Sequence, residues 1–94
     1  MRAVGHGDVA AAACALLPIP RAKRRAVLAR ILAEAETADA YRLEIGRLHP
    51  FWGNGSLMAA ALAHERAAEP SLDDPEYASC MVLVFEALVA RATR

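Results

Sequence analysis

Apolar residues recur at steps of three and four along most of the chain, a period that predicts amphipathic α-helices and no sheet. The first predicted helix covers residues 8–17, with Asp8 as its N-terminal cap and Pro18-Ile19-Pro20 as its stop. The second predicted helix covers residues 21–48. Its predicted core face consists of apolar residues at helical spacing: Val27, Leu28, Ile31, Ala35, Ala38, Tyr41, Ile45 and Leu48.

The second half of the chain predicts two further helices. Ser56 is a suitable cap for a helix over residues 57–68, and Asp74-Pro75-Glu76 combines a capping carboxylate, a proline at the first helical position and an acid in the first turn. Between residues 77 and 90 only Ser79 and Glu86 are polar, so we expect the last helix to be covered on nearly all sides, either by the other three helices or by a second subunit. In a monomer we expect part of helix 4 or of the segment 19–32 to remain uncovered. Glu86 then belongs either to a thin solvent-facing stripe or to a buried pair with an arginine of helix 2.

These elements predict an all-α fold, either a four-helix bundle or an orthogonal helical array, with helix 4 at its centre. We expect one domain over residues 1–94, with a frayed start at residues 1–7. A composition that is 56% hydrophobic and only 5% aromatic, and that includes 23 alanines, favours closely packed helices. The thin core of so short a chain favours association with a second subunit.

The connection between helices 2 and 3 concentrates the unusual side chains. It contains His49, Phe51 and Trp52, followed by an Asn54-Gly55 turn. We expect Trp52 to close the open end of the bundle. The alternative is that His49, Phe51 and Trp52 form a binding surface, because exposed aromatic residues in a loop mark interfaces.

Charge is balanced over the whole chain and unbalanced between its halves. Eleven basic residues match eleven acidic ones, which gives no overall attraction to nucleic acid or membrane. Residues 1–50 have a net charge of +3 and residues 51–94 a net charge of −3. We expect these charges to be matched inside the chain or across a dimer, with the basic start of helix 2 of one subunit near the acidic 65–76 connection of the other.

A basic cluster without any acid between Val9 and Ala33 is the strongest local charge feature, and it consists of Arg21, Lys23, Arg24, Arg25 and Arg30. Cations at a helix N-terminus oppose the helix dipole, so the cluster is a candidate site for an anionic partner such as DNA. The alternative is that these side chains pair with the acidic residues between positions 65 and 76, or remain solvated.

Metal, cofactor and catalytic sites are not predicted. His64-Glu65 begins like a zinc protease motif, but Ala68 stands where the second histidine is needed. Cys14 and Cys80 do not form a Cys-x-x-Cys pair, and we expect both to be buried thiols.

The segment His-Pro-Phe-Trp-Gly-Asn-Gly-Ser-Leu at residues 49–57, followed by an alanine-rich helix, resembles a group of short uncharacterised all-helical proteins from alphaproteobacteria. That resemblance implies no activity and assigns no site.

The sequence therefore predicts a small, non-catalytic, cytoplasmic interaction protein that forms a homodimer or is a subunit of a larger complex. The longest apolar run is shorter than the roughly 20 residues of a membrane span, so we expect no membrane association. The alternative function is a DNA-associated regulatory protein that uses the basic start of helix 2.

Overall fold

The computed structural model describes residues 1–93 and contains four helices. They are α1 (His6–Leu16), α2 (Arg21–Ile45), α3 (Leu57–Leu62) and α4 (Pro75–Ala92). The described part of the chain has no β-sheet, and the all-α prediction is confirmed. None of its helices combines the length and the apolar composition that crossing a membrane requires.

The first helix is the central one, which corrects the prediction that helix 4 occupies the centre. α1 contacts each of the other three helices, and six of its eleven residues are buried. Only three of the eighteen residues of α4 are buried, because α4 packs on α1 and α2 and leaves its outer side uncovered. Alanine makes the central position of α1 possible, since small side chains let neighbouring helices approach closely. The largest fully buried side chains around it are Tyr77, Leu16, Ile31, Leu57, Val84 and Cys80.

Local signals define most of the helix ends. The Ser56 hydroxyl accepts a hydrogen bond from the Ala59 N–H at 3.0 Å, and the Asp74 carboxylate accepts from the N–H groups at the start of α4, so both predicted caps are confirmed. α2 ends at Ile45, three residues before the predicted end, because Gly46 adopts a left-handed conformation with φ of 78°. As a result Ile45 and Leu48, predicted for the core, are exposed.

The third helix is shorter than predicted, and a proline just after α1 accounts for a contact that the chain makes beyond it. α3 ends at Leu62, and the Ala67 N–H donates to the carbonyl of Cys14 at 3.0 Å. In a continuous helix that carbonyl would accept from the residue four positions on, but this residue is Pro18 and has no N–H. The segment after α3 therefore supplies a hydrogen bond that α1 lacks.

The N-terminal segment is attached to the domain, although the sequence predicted a frayed start. α1 begins at His6, so Asp8 lies in its first turn and is not the cap. The Asp8 carboxylate accepts from the Gly5 N–H at 2.8 Å and from the Met58 N–H at 2.9 Å, which links α1 to α3. The ammonium group of Met1 lies between two carboxylates of α2, 3.0 Å from that of Glu36 and 3.1 Å from that of Asp39.

Candidate functional site

Arg24, a member of the predicted basic cluster, is buried. Its side chain is only 8% exposed and lies at the C-terminal end of α1. Nε donates to the carbonyls of Leu16 and Ile19 at 3.1 and 2.9 Å, and Nη2 donates to the Leu17 carbonyl at 3.3 Å. A cation is favoured there by the negative end of the helix dipole, and Arg24 adds a side-chain donor to the Leu16 carbonyl, which also accepts from the Ile19 N–H at 2.9 Å. Arg24 therefore caps α1, which corrects its assignment as a contact residue for a partner.

Glu76, in the first turn of α4, binds two arginines of the cluster. Arg24 Nη1 donates to its Oε2 at 2.8 Å, and Arg21 Nε donates to its Oε1 at 3.0 Å. The hydrogen bonds from Arg21 and Arg24 lower the pKa of Glu76 to about 2. The predicted pairing between the basic start of helix 2 and the acidic connection thus occurs within one chain, and these charges are not left over for a second subunit.

The remaining members of the cluster lie on two different faces of α2. Arg25 Nη2 lies 3.2 Å from Oε2 of Glu86, and both side chains are exposed. Glu86 therefore combines features of both alternatives, since it faces solvent and pairs with helix 2. Lys23 and Arg30 are seven residues apart, share another face of α2 and make no ion pair within residues 1–93. The cluster is consequently not one continuous basic surface.

His49 organises the loop between α2 and α3. Its Nδ1 accepts hydrogen bonds from the N–H groups of Phe51 and Trp52 at 3.1 and 3.2 Å, and its backbone exchanges two hydrogen bonds with Gly53. The Trp52 ring stacks on the imidazole with a centroid separation of 4.6 Å and an angle of 8°. The Tyr41 ring meets the same imidazole edge-on at 5.1 Å. His49 thus holds the other two predicted loop residues, Phe51 and Trp52, close to itself.

The loop does not place its tryptophan in the core. The Trp52 side chain is half-buried against His49 and is not part of the buried core cluster. It therefore does not close the end of the bundle, as the sequence predicted it would. Phe51 is 74% exposed. The loop therefore presents a small aromatic surface whose shape is fixed by hydrogen bonds to His49.

A row of apolar residues on α4 is exposed in the single chain. Val82, Phe85 and Val89, here called the α4 stripe, are 53%, 49% and 63% exposed. Their spacing of three and four residues places them on one side of the helix, opposite the buried Cys80 and Val84. The signal was present in the sequence as a second apolar series beside the core series. The pattern along the chain does not separate the two series, so the sequence predicts an uncovered part of α4 without naming its residues.

A groove of about 550 Å³ separates α2 from α4 beside this stripe. Leu28, Leu32 and Leu83 contribute to its apolar lining. Arg25 and Glu86 pair across one part of it, and Arg91 of α4 pairs with Glu36 of α2 in another. Within the described residues, the groove therefore combines an apolar floor with charges that are already paired.

Other titratable groups of interest are a largely buried histidine–glutamate pair and two buried thiols. His64 Nε2 lies 2.6 Å from Oε1 of Glu34, with both side chains largely buried. No group of three or more histidines, cysteines, aspartates or glutamates within residues 1–93 is arranged to hold a metal ion. Cys14 and Cys80 are buried free thiols, as predicted, and burial raises the pKa of each thiol.

Comparisons with known proteins identify a family and no activity. A family model described as a domain of unknown function (DUF7742) matches residues 2–88, which is nearly the whole chain. No curated protein and no solved structure matches the chain.

Proposed function

We propose that this chain, which belongs to the DUF7742 family of domains of unknown function, is a small non-catalytic helical interaction protein that self-associates as a homodimer. The observation that carries the proposal is the exposure of the α4 stripe. A row of large apolar side chains on the outer side of a helix is the pattern with which two helices pack together. The proposal retains the cytoplasmic location expected from the sequence.

The contact is apolar in this proposal, and not ionic as the charge asymmetry first suggested. The arginines at the start of α2 are used inside the chain, since Arg21 and Arg24 bind Glu76 and Arg25 binds Glu86. Cross-chain pairing with the acidic connection would require these bonds to break. The +3 and −3 halves are therefore matched largely within one molecule.

Sedimentation equilibrium at micromolar concentration tests the proposal. We expect a mass of about twice the 10.1 kDa of the chain, and we expect it to persist in 1 M NaCl because apolar contacts are not screened by salt. Val89→Glu places a charge in the stripe and should give a monomer. Leu72→Glu, at an exposed leucine in the connection before α4, is the matched control and should remain dimeric. A wild-type monomer at this concentration contradicts the proposal.

The alternative function, DNA-associated regulation, is supported by fewer basic residues than the sequence suggested. Of the five basic residues only Lys23 and Arg30 are exposed and without an ion pair inside the described residues. Two phosphate contacts provide little affinity at physiological salt. Retention of the wild type on DNA at low salt, lost in the double variant Lys23→Glu/Arg30→Glu, would favour this alternative.

A further inference from the structure

We infer that the α4 stripe of one copy packs against an alanine-rich face of α2 in the second copy, so that each copy supplies both halves of a four-helix interface. This inference rests on the proposed self-association and names the surface that receives the stripe. It is carried by the match between large exposed side chains on α4 and small exposed side chains on α2.

The receiving face is a row of exposed alanines along α2. Its members, all exposed, follow one another at steps of four, three, four and seven residues: Ala22, Ala26, Ala29, Ala33 and Ala40. These steps place them on one side of the helix, away from the buried Leu28 and Ile31. Small residues on one helix allow a second helix to approach closely, and large residues opposite them fill the remaining space.

Two members of the alanine row line the groove, and the α4 stripe lies next to a residue that lines it from the other side. Ala29 and Ala33 line its α2 side, and Glu86 lines its α4 side. Val82 lies four residues before Glu86 and Val89 three residues after it, so both valines flank that position on the helix surface. The two rows therefore belong to one two-helix face, with the groove between them.

The two helices of this face run in the same direction. Glu76 near the start of α4 binds Arg24 near the start of α2, and Arg91 near the end of α4 binds Glu36 farther along α2. A twofold axis that runs parallel to these helices and brings two such faces together places each α4 over the groove and the alanine row of the other copy. One surface thus serves as its own partner, as a twofold dimer requires.

The energetics favour this larger contact over the stripe alone. Burying the exposed part of three apolar side chains favours association, but association also removes translational and rotational freedom and orders the side chains at the contact. Three side chains per copy are a small apolar area to set against that cost. The alanine row and the groove supply the additional apolar area that a stable dimer needs.

The available area reaches the size of a specific interface. The eighteen residues of α4 extend about 27 Å, and two adjacent helices are about 20 Å wide, which gives a projected area of about 500 Å² per copy. Two copies together contribute about 1,000 Å², the lower bound for a biological interface. The paired charges of Arg25 with Glu86 and of Glu36 with Arg91 leave the face without a net charge that would oppose contact.

Charged substitutions in the alanine row provide the first test. Ala33→Glu is made in the full chain, where glutamate costs little helix propensity, and the sedimentation mass is measured at micromolar concentration. We expect the mass to fall to that of one chain while circular dichroism remains unchanged. Ala63→Glu, at an exposed alanine just after α3, is the matched control and should keep the mass of the dimer.

Cross-linking between two different variants provides a second test that does not depend on destabilising the dimer. Chains with Ala26→Cys or Ala33→Cys are mixed with mass-tagged chains that contain Val82→Cys or Val89→Cys, and the mixtures are oxidised. A disulfide requires Cα atoms within about 7 Å, so at least one pairing should give a heterodimer. Mixtures with Ala63→Cys should give none, and the native Cys14 and Cys80 are buried.

The outcomes separate this inference from the proposed function. If Val89→Glu gives a monomer while Ala33→Glu remains dimeric and no heterodimer cross-links, the stripe is the interface and the alanine row is not. That result overturns the inference and leaves the groove open to a small apolar ligand. A wild-type chain that sediments as a monomer overturns both.

Discussion

The Arg24 side chain joins three parts of the molecule. It starts on the first turn of α2, binds the carbonyls at the end of α1 and reaches the first turn of α4 through Glu76. The neighbouring Arg21 and Arg25 extend into solvent, with side chains that are 76% and 75% exposed. One residue of a basic cluster therefore has a structural role that its neighbours lack.

We expect Arg24→Met to lower the free energy of unfolding by about 2–3 kcal/mol, because the part-buried carbonyls of Leu17 and Ile19 lose their side-chain donor and Glu76 loses one of its two arginines. Arg21→Met is the matched control and should leave stability nearly unchanged, since exposed ion pairs contribute little. Urea unfolding followed by circular dichroism measures both. Equal midpoints for the two variants would contradict the capping role of Arg24.

At the scale of elements, the loop before α3 is built around a close approach to α2. Gly55 has a φ of 90°, and a Cβ placed on it would lie 2.6 Å from the Cα of Asp39. Its carbonyl also accepts a hydrogen bond from the Arg2 N–H at 2.9 Å, which fixes the N-terminal segment. The position therefore requires both the left-handed conformation and the absence of a side chain.

Two glycine substitutions separate these requirements. Gly46 has a φ of 78° but open space around its Cα, so Gly46→Ala should cost only the conformational term of about 1–2 kcal/mol. Gly55→Ala should cost a further 1–3 kcal/mol, approximately, because of the clash with Asp39. Thermal unfolding of the two variants gives the comparison. Similar melting temperatures would mean that the loop moves away from α2 at little cost.

At the scale of the whole molecule, ion pairs connect segments that are distant in sequence. Glu36 is bound by Arg91 of α4 and by the ammonium of Met1, and hydrogen bonding to that ammonium lowers its pKa. The pKa of Asp39 is lowered by the hydrogen bond from Arg42, with the Met1 ammonium contributing as well. Burial lowers the pKa of the ammonium, but its hydrogen bonds to Glu36 and Asp39 outweigh this effect and the pKa is raised.

These pairs predict a loss of stability in acid. The pKa of Glu76 falls from an ordinary value of 4.5 to about 2 in the folded chain, so its contribution is complete above pH 4.5 and is lost as the pH falls toward 2. Glu76→Gln should therefore be less stable than the wild type at neutral pH, and the difference should shrink across this range. Urea unfolding at a series of pH values measures it.

The control for this experiment is Glu65→Gln, at an exposed carboxylate without an ion pair among the described residues. Its stability should follow that of the wild type at each pH. A Glu76→Gln curve parallel to the wild-type curve would show that the arginine pairs do not contribute to folding.

The sequence by itself determined the features that depend on a few neighbouring residues. The caps at Ser56 and Asp74 and the stop after α1 follow from local hydrogen bonding and from the missing N–H of proline, and the structure contains them where they were predicted. The all-α class follows from the period of apolar residues over many turns, which does not depend on how the helices are arranged.

Only the tertiary structure decided which apolar face of a helix is buried and which cationic side chain is exposed to a partner. α1 is central although alanine dominates it, because burial depends on how closely backbones approach. α4 has the larger apolar side chains, yet it leaves Val82 and Val89 exposed. Arg24 and Arg25 are neighbouring arginines, but successive residues of a helix point about 100° apart. Arg24 is therefore directed toward the C-terminal end of α1, and Arg25 is directed toward solvent. A candidate site made from such residues depends on distances between segments, which a pattern along one chain does not contain.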